Sequence, residues 1–168
     1  MAIVPDNFNI PFYRAIPQGL EPESWVLLEG TIPPQGKRFY VDFSSRQVEE
    51  GNKPLRLTVS FEGPPSSPGW VTLNSFADQQ WGEGLTVMAP FRRGQEFRIQ
   101  IIVTRMGYKI LEKDISLCEF RHRLSPKSIR FLEVDGEVKL QNVAVSWEGN
   151  RAPRGRILPT LGMGRYAY

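Results

Sequence analysis

The feature that most narrows the fold of this chain is a two-residue beat of apolar side chains, repeated in short segments that end at Gly, Pro, Asp or Asn. KRFYVDF sets Phe39, Val41 and Phe43 on one side. LRLTVSF does the same with Leu55, Leu57, Val59 and Phe61, and EFRIQIIV with Phe97, Ile99, Ile101 and Val103. Successive side chains of a strand point to opposite faces, so each segment reads as a strand with one buried and one wetter side. GYKIL, DISLCEF, SIRFLEV and EVKLQNVAVSW continue the series, and Asp135-Gly136 between the last two predicts a tight hairpin. No long stretch carries the 3.6-residue period of a helix. The pattern implies an all-β fold, a two-sheet antiparallel β-sandwich.

Composition removes several function classes. Cys118, the chain's one cysteine, lies in the apolar run ISLCEF and reads as a small buried hydrophobe. It can form no intrachain disulfide, and with His122 as the only histidine it cannot build a zinc site. Gly-rich phosphate loops and a GxSxG elbow are absent, so no cofactor, no metal and no catalytic residues are expected. No apolar run is long enough for membrane insertion, and MAIVPDNFNIPFYRAIPQG lacks the basic-then-apolar order of a secretory signal, which predicts a cytoplasmic address. The net charge of +3 hints at nucleic acid until the charges are located. Arg151, Arg154, Arg156 and Arg165 lie in an acid-free terminal stretch, and the rest of the chain is close to neutral. That basic Gly/Pro/Arg tail, 149–168, reads as a disordered, solvated extension rather than a nucleic-acid arm. The plan is then an N-terminal extension over 1–24 packing on the sandwich, a domain over 25–148, and the tail.

The wetter face of LRLTVSFE carries Arg56, Thr58, Ser60 and Glu62 in one row. Asn74 in NSFADQQWGEG precedes Trp81 by seven positions. A polar row beside an exposed indole suits a sugar, whose hydroxyls take directional hydrogen bonds while its C–H face packs on the ring. Trp25, Trp70 and Trp147 read as packing residues.

Several blocks between Trp25 and Trp147 together resemble a galectin carbohydrate-recognition domain: WVLLEGTIPPQGKRFYVDF, VTLN followed by WG, PFRRGQEFRIQI, and FRHRLSPKSIRFLEVDGEVKLQNV. The resemblance implies a jelly-roll sandwich with a sugar groove on its concave sheet, and a lectin rather than an enzyme. Galectins carry an Asn and, seven residues later, the Trp that stacks on galactose, which Asn74 and Trp81 match. The remaining constellation departs. Aligning LRLTVSFE on the family's HxNPR strand puts Thr58 at the His, Ser60 at the Asn and Glu62 at the Arg; WGxExR becomes WGEGLT, with Gly84 at the Glu and Thr86 at the second Arg. Charge-assisted hydrogen bonds are worth about 1.5–3 kcal/mol each, and losing two or three outweighs the ~4 kcal/mol of millimolar binding. Ordinary β-galactoside binding is therefore expected to be weak or absent.

Glu83, one residue before the family position, offers a replacement carboxylate for Arg56 or Arg46. His122 and Arg123 fall in the closing segment, which the resemblance makes scaffold. The expected partner is a glycan or glycoprotein, galactose-containing if the family's preference holds, bound by Thr58, Ser60, Glu62, Asn74, Trp81, Glu83 and Arg56. The alternative is a galectin-fold module that binds a protein, or a second copy as a homodimer, and no longer sugar. A sandwich glycosidase needs two facing carboxylates about 5–10 Å apart, for which only Glu62 and Glu83 are candidates. Since galectins commonly leave the cytoplasm without a signal peptide, an extracellular role is also open.

Overall fold

The computed structural model describes residues 8–46 and 51–146. The strands run in chain order β1 (Phe12–Ala15), β2 (Trp25–Thr31), β3 (Arg38–Ser44), β4 (Lys53–Ser60), β5 (Gly69–Ala77), β6 (Gln80–Trp81), β7 (Leu85–Ala89), β8 (Glu96–Val103), β9 (Gly107–Glu112), β10 (Ile115–Arg121), β11 (Phe131–Gly136) and β12 (Lys139–Val145). One 3-10 turn, Pro126–Ser128, is the only helical element among the described residues. The alternating segments thus form the strands they predict. The tail and Trp147 lie outside the described residues.

The strands make two antiparallel sheets. One has the order β1-β11-β3-β4-β5, with β6 and β7 both paired to the free side of β5; the other has the order β10-β9-β8-β2-β12. Phe39, Val41, Leu55, Leu57, Val71 and Leu73 from the first sheet pack against Val26, Leu28, Ile99, Ile101 and Ile110 from the second, all essentially buried. Fully burying such a side chain is worth about 1.5–3 kcal/mol, so the two-residue beat is the driving pattern of the fold. Rings lock the sheets together: Phe39 stacks on Phe97 at 5.2 Å, and Phe43 meets Tyr108 at 5.7 Å.

Two details differ from the sequence-based expectation. Asp135-Gly136 does not close a hairpin: β11 pairs with β1 and β3, whereas β12 pairs with β2 in the opposite sheet. Gly136, at φ 104, turns the chain, but a Cβ there would meet the Phe39 backbone, and the following residues cross to the other layer. The second concerns the N-terminal segment. FYRA supplies β1 of the larger sheet, paired to β11, and Arg14 donates to the Val143 carbonyl of β12 in the other sheet. Four residues are too few to declare themselves by alternation, and β1 forms because β11 offers an unpaired edge.

Candidate binding groove

The outward face of the larger sheet is built by register. Asp42, Arg56 and Asn74 lie in one row across β3, β4 and β5; Tyr40, Thr58, Thr72 and Thr86 lie in the next, reaching β7. Arg38, Tyr40, Arg56, Thr58, Ser60, Thr72, Asn74 and Trp81 line a groove of about 290 Å³. Thr72 and Thr86 share a hydroxyl hydrogen bond of 3.0 Å on its floor.

Trp81 reaches this groove through a two-residue hairpin. Ala77 pairs with Gln80, and the intervening Asp78 and Gln79 both have positive φ, at 54° and 66°, the combination of the primed turns whose twist matches paired strands. Trp81 then faces Phe76, the rings 4.9 Å apart, and remains 44% exposed. Immediately after it the edge strand breaks at Gly82-Glu83-Gly84 before resuming as β7.

Arg56 is the electrostatic centre. Its Nε and Nη2 donate to the two oxygens of Asp42 at 2.8 and 2.7 Å, and its guanidinium lies between the Tyr40 ring at 4.5 Å and the Trp81 ring at 4.9 Å. Asp42 is buried, at 4% exposed, so the pair is a bidentate fork held in place by two aromatic faces. Burial pulls the Arg56 pKa down, but the hydrogen bond and charge of Asp42, with Tyr40 and Glu133, outweigh it and hold Arg56 above its ordinary value. Nη1 forms neither bond of this fork. On the next strand, burial raises the Glu133 carboxyl, with Lys53 and Arg56 opposing and Asp42 and Asp135 adding to the rise.

Asn74 is occupied within the protein. Its Nδ2 donates to the Gly82 carbonyl at 3.0 Å, and its Oδ1 accepts from the Ser75 amide and from Arg123 Nη1. Arg123 also donates to Ser75 Oγ and to the Glu83 carbonyl, and lies over Phe120 at 4.5 Å. It therefore ties Asn74 to the loop that carries Trp81. At Gly82 a Cβ would come within 2.6 Å of Arg123 Nη1, so a larger residue there has to displace the guanidinium. Arg123, read from sequence as scaffold alone, positions the groove's edge from 49 residues away; nothing in local sequence signals that. His122 is packing: Nε2 lies 2.9 Å from the Thr104 carbonyl and the ring sits edge-on to Tyr108 at 4.7 Å.

Of the residues singled out from sequence, the groove lining includes Arg56, Thr58, Ser60, Asn74 and Trp81. Glu62 lies beyond the end of β4 at Ser60, and Glu83 projects from the break between β6 and β7; neither lines the groove. Glu83 forms no ion pair among the described residues, and Arg56 takes Asp42 instead. The three outward positions of β4 that line the groove are Arg56, Thr58 and Ser60, two residues earlier than the alignment on Thr58, Ser60 and Glu62. A two-residue shift leaves every side chain on the same face, so alternation cannot distinguish the two placements. Asp42 and Tyr40 were not singled out either, since their partner Arg56 is brought to them only by the β3–β4 register.

The family profile described as galactoside-binding lectin matches residues 11–145. Human galectin-7 is 30% identical over 138 residues, covering 82% of this chain and 98% of galectin-7. Bovine galectin-4 is 31% identical over 154 residues, covering 90% of this chain, which spans 44% of that longer protein. Among solved structures, sheep galectin-11 in complex with glycerol superposes with a TM-score of 0.74 at 24% identity, covering 83% of this chain and 99% of the other, a likeness of fold. With the sandwich, the profile over most of its length and these relatives in agreement, the chain belongs to the galectin family of galactoside-binding lectins, which bind carbohydrate and are not enzymes.

Proposed function

We propose that this galectin binds glycans in the groove of the larger sheet with a changed specificity, and holds ordinary β-galactosides weakly. The observation that carries the reading is Arg56, clamped by Asp42 and sandwiched by Tyr40 and Trp81 above a floor of threonine and serine hydroxyls. A fixed guanidinium offers Nη1 to a sugar oxygen without losing rotamer entropy on binding, and Thr58, Ser60 and Thr72 offer neutral donors and acceptors. The exposed part of the Trp81 indole supplies the C–H packing surface. The same guanidinium covers one face of that indole, which narrows the room for a flat galactose stack. This supports weakened lactose binding, and favours a protein or second-copy partner as the other reading.

Isothermal titration with lactose, beside a glycan array, tests the proposal. The expected result is weak or no lactose heat together with array ligands whose binding disappears in Trp81→Ala. A protein that retains its fold, binds no glycan and associates with concentration would leave the interaction reading in its place. Two restoration sets probe the register. Both include Gly84→Glu, where a Cβ meets only ordinary contacts, and Thr86→Arg. One adds Thr58→His, Ser60→Asn and Glu62→Arg; the other adds Arg56→His, Thr58→Asn and Ser60→Arg. The second set is expected to gain lactose binding and the first to gain none, because position 62 lies past the strand.

A further inference from the structure

The edges of the two sheets are not equally protected. An edge strand presents unpaired N–H and C=O groups to any other strand, and natural edges are blunted by charge, proline, bulges or brevity. β1 is four residues long, follows Pro11 and carries Arg14. β10 is bulged between Ser116 and Cys118 and carries Glu119 and Arg121, and β12 is bulged between Leu140 and Asn142 and begins at Lys139. β6 has two residues. β7 contains none of these devices; Pro90 only ends it. LTVMA pairs with β5 without a register shift, from Gly69 opposite Ala89 to Leu73 opposite Leu85, and the chain from Gly84 to Phe91 holds no charge. Gly84 and Thr86 are the two positions at which the galectin motif would supply a Glu and an Arg. Among the described residues, no backbone hydrogen bond joins Leu85–Ala89 to any segment but β5.

The side chains of β7 are as open as its backbone. Thr86 and Met88 point outward with their β5 partners Thr72 and Trp70, and Met88 is 60% exposed. Trp70, 37% exposed, is aimed away from the sandwich by β5 and is not the packing residue that the sequence suggested. Leu85 and Val87 point inward opposite Leu73 and Val71, which are fully buried, yet Leu85 remains 38% exposed. The core is therefore open at this edge. One further strand laid along β7 would cover Leu85 and pair the unused backbone groups together.

We propose that β7 is a self-association edge, which pairs antiparallel with β7 of a second copy about a two-fold axis through Val87 and joins the two larger sheets into one. The chemistry of the strand selects a second copy. Paired residues of an antiparallel ladder share a face, so a two-fold register is centred on a residue, and Val87, the middle of Leu85–Ala89, is the centre that uses the whole strand. Leu85 then lies beside the partner's Ala89, and Thr86 beside the partner's Met88. No like charges meet, the condition that a contact of one patch with its own copy has to satisfy. An axis perpendicular to the sheet keeps both grooves on the same side of the dimer, with the two Asn74 residues roughly 25 Å apart at about 4.8 Å per strand and 3.4 Å per residue. The inference goes beyond the lectin reading and does not depend on it.

The test is sedimentation velocity of the full chain, without glycan, over about 1–500 μM. Five paired residues a side make a contact below the standard interface size, so a monomer–dimer equilibrium with a Kd on the order of 10 μM is expected. Thr86→Glu with Met88→Glu sets like charges opposite one another across the axis and should raise Kd at least about tenfold. Thr86→Lys with Met88→Glu sets opposite charges there and should restore association, with the recovery lost near 0.5 M salt. Lys139→Glu with Gln141→Glu, on the edge of β12, should leave Kd unchanged. Hydrogen exchange of the unaltered protein gives a second readout that no misfolded variant can obscure: amides of Leu85–Ala89 should gain protection between the lowest and highest concentrations. A chain that stays monomeric throughout, a Kd unmoved by the like-charged pair, an equal response to the β12 changes, or unchanged exchange along β7 would overturn the inference.

Discussion

Replacing Arg56 by alanine should cost far more than the loss of a surface arginine, because it strands a buried anion. Asp42 is 4% exposed and accepts two charge-assisted hydrogen bonds from Arg56, at 2.7 and 2.8 Å. Removing one member of a buried ion pair costs about 3–5 kcal/mol, mostly the penalty of leaving the other charge without compensation. Here the Arg56 side chain is 28% exposed, so water can enter the vacated space and the cost falls to about 2–3 kcal/mol. For a domain of this size that corresponds to a fall in Tm of roughly 5–10 °C. Asp42→Ala should cost less, about 1–2 kcal/mol, since Arg56 keeps its two aromatic faces and can turn toward solvent. The double variant should then be more stable than the sum of the singles implies, by about 1–2 kcal/mol, because it leaves no orphaned charge. Arg56→Lys should recover little, as an ammonium can neither fork onto Asp42 nor stack between the rings. Guanidinium denaturation of the four proteins at neutral pH measures the cycle. Additivity within about 0.5 kcal/mol, or an Arg56→Ala protein as stable as the parent, would refute the argument that the clamp is a coupled, desolvated unit.

Other consequences are simpler to read. Burial raises the Glu112 carboxyl against the Arg98 amide and Lys113, which oppose it; the folded state therefore holds that proton more firmly than the unfolded chain. The contribution favours folding below the ordinary glutamate range and is lost as pH rises through the raised value. Glu112→Gln should accordingly raise Tm at neutral pH, with the difference closing by about pH 4; a gain that grows on acidification would contradict the sign. Burial, followed by the charge of Glu119, pushes the half-buried Cys118 thiol up to about 11, so alkylation at neutral pH should be slow in the native protein and fast after denaturation. Arg123→Ala should release Asn74 and the Gly82–Gly84 break, red-shifting or broadening the tryptophan emission and weakening glycan binding while lowering Tm by only a few degrees. Gly82→Ala should do the same from the other side by displacing the guanidinium, and unchanged binding in both would show that the loop holds without them.

Much of the fold was legible because burial writes itself into sequence at a period of two. KRFYVDF, LRLTVSF and EFRIQIIV become β3, β4 and β8 with the expected faces inward, and the seven-residue interval from Asn74 to Trp81 survives as a hairpin that brings both to one groove. What alternation fixes is a face, and only a face. It is blind to a shift of two residues, which is why Glu62 could be counted in a row that the sheet ends at Ser60. It also says nothing of which strand lies alongside. The pairing of β3 with β4 hands Arg56 to Asp42, and the packing of the β10–β11 connection brings Arg123 under Asn74. The outward aim of β5 exposes Trp70, and the crossing after Gly136 sends β12 to the other sheet. Each of these is a contact between residues distant in the chain, set by which surfaces can be buried together. The sequence by itself determined the sandwich and the candidate face, whereas tertiary packing decided the charges, partners and length of the groove upon it, because hydrophobic periodicity specifies burial and cross-strand register specifies neighbours.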